Sequence, residues 1–366
     1  MQSSRQPSDW LIPLSTVALL IIGIVMVHSA STVLSADHYR DPYYFLKRQV
    51  MWAAVGLTLM VLVSRVDYLI FERYARLIML LCLIFLALVL VPHIGQVRGG
   101  SRAWLGIGTF GIQPSEFAKF GLIIFFSWLL SRDPDRMLSF YRGLAPPLFL
   151  MAGVIALIML EPDLGQSAVI AGATMIMVFV GGARMRHLLA LAAGGAAAFA
   201  AMIAVAPYRL ERVVSFLDPW KYPKTSGYHI IMSLLALGRG SLIGVGLFGS
   251  TQKHLYLPEP QTDFIFAILT EELGLLGAAV TIALFAVLLW RGMRAAMRAP
   301  DRFGAYLAAG LTGVIAVQVM INVGVVTGML PVTGITLPFL SYGGSSLTLM
   351  LTAVGMLMSV SRRARD

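Results

Sequence analysis

Apolar residues fall along this chain in long unbroken runs, and polar residues gather in the segments between them. Read in order, the runs predict ten helical spans, at about 11–30, 49–64, 77–92, 116–131, 145–160, 165–182, 188–206, 264–290, 304–326 and 342–360. A helix needs roughly 20 apolar residues to cross a bilayer. A closed barrel is the other way to satisfy the backbone in lipid, but the period-two alternation it requires is missing. The expectation is an all-α, polytopic integral membrane protein. It forms a single transmembrane domain over 1–366, with one long connection at 207–263 between the seventh and eighth spans.

Composition sharpens this picture. The chain is 58% hydrophobic and 13% charged, where a soluble domain carries about a quarter charged residues, and its mean hydropathy is +0.81. The net charge of +10 is placed as in membrane proteins rather than as in nucleic-acid binders. With the N-terminus inside, the inner segments hold sixteen arginines, among them Arg65, Arg73, Arg76, Arg291, Arg294, Arg298 and Arg302. The short outer segments hold five basic residues: Arg40, Lys47, Arg48, Arg98 and Arg102. That asymmetry places both termini in the cytoplasm. Arg5 followed by an apolar run and VHSAS also fits a cleaved signal, but Pro13 and the charge balance favour a retained first span. The single cysteine, Cys82, excludes an internal disulfide and reads as a small core residue.

Acidic residues point elsewhere. In LPEPQTDFIFAILTEELG, residues 257–274, Pro258 and Pro260 hold an extended approach, and a helix is expected to begin near Thr262 or Asp263. Asp263 reads equally as an N-cap or as a base at the outer rim. Glu271 and Glu272 lie deeper, about 12 Å of helix further on, and cannot be caps, so they need partners. In QPSEFAK, residues 113–119, Pro114 suits a first helical turn, and Glu116 and Lys119 share one face at i, i+3. They form either a self-neutralising pair or part of a polar cavity. Arg102 and Trp104 precede them in a loop. EPDLGQS, residues 161–167, joins two spans by a tight turn, with Asp163 and Gln166 at the rim. Ionisable groups at such depths face protein cavities and are functional candidates by default. GVGLFG, residues 244–249, matches a dinucleotide fingerprint, but it lacks the strand and helix around it that would give the match meaning. His229 and His254 have no metal-ligand spacing. Residues 327–346 carry no charge and read as irregular backbone lining a cavity.

Taken together, QPSEFAK, EPDLGQS, the block from DPW through SGY to YLPEPQTDFIFAILTEELG, and LPVTGITLPFLSYGGSSL resemble the SEDS family (shape, elongation, division and sporulation). The resemblance covers nearly all ten spans. It is closer to the cell-division and sporulation type than to the rod-elongation type, although His229 and Met232 stand where glutamines are expected. It implies the SEDS fold and a peptidoglycan glycosyltransferase that polymerises lipid II at the outer face of the bacterial cytoplasmic membrane. The implied partners are a monofunctional class B penicillin-binding protein, lipid II, the nascent lipid-linked glycan and membrane lipid, with no nucleic acid. The family's essential aspartate matches Asp263.

Inverting glycosyl transfer needs a base for the attacking hydroxyl and positive charge or a metal for the departing diphosphate. Asp263 is the expected base, shielded by Phe264, Ile265 and Phe266. Arg102, Lys119 and Lys253 are the candidates for the diphosphate, and Trp104 for a sugar ring. Glu116, Asp163 and Glu272 either shape the cavity or help carry a divalent cation (Mg2+ or Mn2+), and Gln166 and Gln261 complete the expected substrate-binding set. Two alternatives remain open at this level, a lipid II flippase and a non-catalytic scaffold for a transpeptidase.

Overall fold

A computed structural model describes residues 9–98, 101–107, 110–133, 140–205, 207–225, 227–253 and 257–364. Its helices are α1 (Leu11–Tyr39), α2 (Tyr44–Arg65), α3 (Leu69–Leu90), α4 (Pro114–Arg132), α5 (Ala145–Leu160), α6 (Leu164–Val180), α7 (Met185–Val205), α8 (Pro207–Leu217), α9 (Tyr228–Gly240), α10 (Ile265–Met297), α11 (Arg302–Val326) and α12 (Gly344–Arg362). Every predicted span coincides with a helix. Six of them, α1, α2, α3, α10, α11 and α12, are long and apolar enough to cross a membrane, and α5 and α6 are shorter apolar helices. Several helices outrun the predicted spans: α3 starts at Leu69 and α10 continues to Met297. Hydropathy marks the stretch that crosses hydrocarbon, whereas the helix itself continues through charged turns whose long side chains reach water.

The bundle is organised around α11 and α12. Helix α12 packs along α2, and α11 lies against α4, α6 and α10. Leu307, Leu311 and Val314 of α11 and Leu351 and Val354 of α12 are fully buried. Large apolar side chains such as Leu62, Leu80, Leu276 and Val280 face outward on α2, α3 and α10, as expected where the solvent is lipid.

The all-α expectation needs correction. Between α3 and α4 lies a three-stranded antiparallel sheet of β1 (Gly95–Arg98), β2 (Ser101–Ile107) and β3 (Phe110–Ile112), in the order β1-β2-β3. Gln96 pairs with Trp104 and Leu105 with Ile112. The strands are short and rich in glycine, too brief for an alternating pattern to stand out in sequence. The long connection is likewise more ordered than a loop, since it carries α8 and α9.

Helix α10 is broken at Gly274, where φ is 69° and ψ −169°. A break leaves carbonyls and amides without helical partners, and buried backbone groups must find others. Here the segment after α9 supplies them. Val245 and Gly246 donate to the Glu271 and Glu272 carbonyls at 3.0 Å each, and Leu275 and Leu276 donate to the Ser241 and Leu242 carbonyls at 3.0 and 3.2 Å. Gly244 (φ 81°) passes so close that a side-chain carbon there would stand 2.2 Å from the Glu272 carbonyl oxygen. The GVGLFG segment is thus a backbone splint for a broken helix.

Candidate active site

The site forms where the start of α10 meets the charge-free segment 327–343. Asp263 precedes the first residue of α10, and the cap position is taken by Phe264 without a side-chain hydrogen bond, so the capping reading of Asp263 does not hold. Its backbone is pinned from three sides. Asn322 Nδ2 of α11 donates to the Asp263 carbonyl at 2.8 Å and to the Ile335 carbonyl at 2.7 Å. Ser341 Oγ donates to the Thr262 carbonyl at 2.5 Å, and the Tyr342 amide to the Gln261 carbonyl at 2.8 Å. Phe264 is buried against the His229 ring of α9, with ring centroids 5.9 Å apart. Backbone and flanking side chains are therefore fixed, while Asp263 as a residue stays partly exposed. Gly334 passes beside it, 3.6 Å from Oδ2 by the position a side-chain carbon would take.

Burial, and then the charges of Glu259 and Asp163, push the Asp263 carboxyl up to about 7, against the opposing pull of the Thr262 hydroxyl and the Arg212 guanidinium. A carboxylate raised towards neutrality by its surroundings is suited to accept a proton.

A chain of buried polar contacts runs beside it. Lys119 Nζ meets Glu116 Oε2 at 2.9 Å and Gln318 Oε1 at 2.9 Å, and the Gln318 amide donates to the Thr336 carbonyl at 3.0 Å. Gln166 Nε2 donates to Glu116 Oε1 at 2.5 Å, and the Gln166 amide N–H caps α6 by donating to Asp163 Oδ1 at 2.9 Å. Gln113 Nε2 reaches Asp163 Oδ2 at 3.1 Å. Three helices, α4, α6 and α11, and the charge-free segment are joined in this way. Glu116 and Lys119 are each 1% exposed, so the i, i+3 pair is self-neutralising, and it also braces the rim. Asp163 is the cap of α6, and burial raises its pKa. One position upstream of Pro162, Glu161 is fully buried, neither carboxylate oxygen is hydrogen-bonded among the described residues, and burial together with Asp163 pushes it up to about 8.

The other expected site residues have contacts of their own. Lys253 Nζ is 2.9 Å from Glu272 Oε1, with side chains 5% and 0% exposed. Both belong to the packing between the splint and α10, so Lys253 has its charge matched within the protein. Arg102 and Trp104 project from the same face of β2, opposite buried Ala103. The sheet is tied to the α5–α6 turn by the Ser101 hydroxyl, which donates to the Glu161 carbonyl. Gln261 is buried, its amide donating to Glu259 Oε2 at 3.0 Å. Glu116 and Glu272, two acids considered for a divalent cation, each meet a lysine ammonium. Among the described residues, no three His, Cys, Asp or Glu side chains gather to hold a metal ion. His254 lies outside the described residues.

Sequence reasoning passed over Gln318 and Asn322, and it reads Arg212 only as one of six basic residues that suit the long connection to an anionic lipid-linked ligand. Gln318 and Asn322 stand at i, i+4 in an otherwise apolar helix, a spacing that puts two amides on one face. That signal was available. Arg212 sits in the long connection, where nothing in the sequence distinguished it from five other basic residues.

A polytopic helical membrane protein with an acidic, internally braced rim is the class these features define. The sequence model of the family described as cell cycle protein, FtsW/RodA/SpoVE, matches residues 9–366, and the chain belongs to that family. It is 49% identical over 365 residues to stage V sporulation protein E of Bacillus subtilis, covering 100% of both chains. It is 41% identical to the probable peptidoglycan glycosyltransferase FtsW of Geobacter metallireducens, covering 98% of this chain and 95% of that one. Among solved structures, it matches a chain from work on the structural coordination of polymerization and crosslinking by a peptidoglycan synthase complex, with TM-score 0.81, 31% identity and coverage of 98% and 99%. It also matches the rod shape determining protein RodA of Thermus thermophilus, with TM-score 0.73, 30% identity and 98% of each chain.

Proposed function

We propose that this chain is a peptidoglycan glycosyltransferase that polymerises lipid II, with Asp263 as the general base. The observation that carries this reading is Asp263, a partly exposed residue whose carboxyl is raised towards neutrality on a backbone held by Asn322, Ser341 and Tyr342. Asp263 takes the proton from the acceptor sugar's 4-hydroxyl as that oxygen attacks the donor's anomeric carbon. The bond from that carbon to the diphosphate breaks, and the diphosphate leaves with the electron pair. The Glu116–Lys119–Gln318 chain holds the charge-free segment in place beside the base, and Asp163, Gln166 and the sheet carrying Arg102 and Trp104 border the substrate.

The proposal includes ten spans with both termini in the cytoplasm and the Asp263 end on the outer face of the bacterial cytoplasmic membrane, in keeping with the arginine asymmetry. It also includes a class B penicillin-binding protein as partner, supported by the likeness to a chain of a peptidoglycan synthase complex. Asp263→Asn retains shape and loses basicity. Purified with its partner and given lipid II, it is expected to make no glycan ladder, a loss of roughly a hundredfold or more, while its thermal unfolding stays that of wild type. Long glycan strands from the variant would remove Asp263 as the base. A folded wild type that makes none, with or without the partner, would favour a flippase.

A further inference from the structure

Of the three cations expected to meet the diphosphate, Lys119 and Lys253 are buried against glutamates. A departing diphosphate needs positive charge that is not already matched, at the depth of the lipid headgroups, beside the base. Helix α8 satisfies each condition. Leu210, Val214 and Leu217 form one exposed apolar face, while Glu211 and Arg212 are also exposed. A short helix with such opposed faces lies in the interface plane, with its cations at headgroup level. Arg212 leans back onto the rim, its Nη1 donating to the Val332 carbonyl at 3.5 Å. Val332 is two residues from Gly334, the residue that passes beside Asp263 Oδ2, and two residues of chain span at most about 7 Å. The charge of Arg212 is felt at both Asp263 and His229. A guanidinium has five N–H donors in a planar fork suited to phosphate oxygens, and among the described residues Arg212 meets a single acceptor, at the long end of hydrogen-bond distance.

We infer that Arg212 binds the diphosphate of a polyprenyl-linked saccharide and neutralises it as it leaves. The inference rests on the glycosyltransferase reading for its chemistry, but its binding step is separable from turnover. Arg212→Gln and Arg212→Lys are compared with wild type, each as the full chain with its transpeptidase partner. One arm measures KM and kcat for lipid II. The other measures binding of undecaprenyl diphosphate against undecaprenyl monophosphate in detergent, which needs no catalysis. Loss of a charged hydrogen-bonding partner is expected to weaken diphosphate binding roughly tenfold or more, to abolish the preference over monophosphate, and to raise KM by a similar factor. The lysine variant is expected to recover part of each, because it keeps the charge and loses the fork. Unfolding temperatures equal to wild type show that the helix remains in place. Undiminished diphosphate preference in Arg212→Gln overturns the inference even if polymerisation is impaired. If wild type binds diphosphate through Arg212 yet makes no glycan, the inference stands and the polymerase reading falls.

Discussion

Two groups of buried acids stand within a few turns of each other and are treated in opposite ways. Around Glu271 and Glu272 every carboxylate oxygen is satisfied. Glu272 accepts from Ser29 Oγ at 2.6 Å, Lys253 Nζ at 2.9 Å, and the Phe248 and Ser250 amides at 3.0 and 3.3 Å. Glu271 accepts from the Ser250 hydroxyl and from the Thr251 amide at 3.1 Å, with Arg239 at 3.8 Å. Around Asp263, Asp163 and Glu161 the acids press on one another, and neither oxygen of Glu161 has a hydrogen-bond partner among the described residues. The first group joins the splint, α1 and α10 into one body and has no spare capacity for a ligand. In the second, Gln166 and Gln113 hold Asp163, but among the described residues no cation offsets the acids as Lys253 offsets Glu272, and each raises its neighbour's affinity for a proton. Matched charge marks architecture, and mutual pressure between acids marks chemistry.

The largest effect expected from this contrast is on stability. Glu272→Gln leaves Lys253 buried without its counter-ion, and removing one partner of a buried pair costs roughly 3–5 kcal/mol. The unfolding temperature of the purified protein is expected to fall sharply, and adding Lys253→Met to make an uncharged pair is expected to restore much of it. If the single variant unfolds like wild type, the saturated group is not structural and the contrast fails.

The opposite sign is expected at Glu161. An acid whose pKa rises from 4.5 to about 8 on folding binds more protons in the native state than in the unfolded state between those values. Wild-type stability therefore falls as pH rises through that window. Glu161→Gln carries no proton to lose and breaks no side-chain hydrogen bond. Its advantage over wild type is expected to grow with pH, by at most about 1.4 kcal/mol per unit, and to level off above about pH 8. Thermal unfolding at pH 5 and pH 8 checks this, and a variant less stable than wild type at both would show a hidden partner.

The same division decides what the sequence could reveal. The helices were legible because an apolar run of membrane-spanning length has few other uses. The Glu116–Lys119 pair was legible because helical spacing alone brings i and i+3 together. Lys253 and Glu272 were both marked, but as substrate contacts, because their pairing depends on the splint folding back onto α10 at Gly274. No local pattern carries that information. Asp263 was found through its motif, and its fixation by Asn322 and Ser341 joins residues far apart in sequence. Arg212 needed the fold, since only the placement of α8 against Val332 separates it from the other basic residues of 207–263.

The smallest predicted effect tests whether the acids of the rim do sense one another. Glu259 is the largest electrostatic contribution raising Asp263 after burial. Its own side chain is held by Gln261 Nε2 at 3.0 Å, a contact that a glutamine at 259 keeps through its amide oxygen. Asp263 acts as a base only when ionised, so kcat/KM is expected to fall on the acid side of a midpoint near 7, roughly tenfold per pH unit. Glu259→Gln removes a negative charge from beside it, ionisation becomes easier, and the midpoint moves down. The variant is then a few-fold faster than wild type at pH 6 and equal to it at pH 9, where Asp263 is ionised in both. Initial rates of glycan synthesis across pH 5.5–9 at low lipid II give this comparison directly. A midpoint that stays put or moves up would mean that the titrating group is not Asp263, and the acids at the rim would lose the mutual influence that separates them from the saturated group.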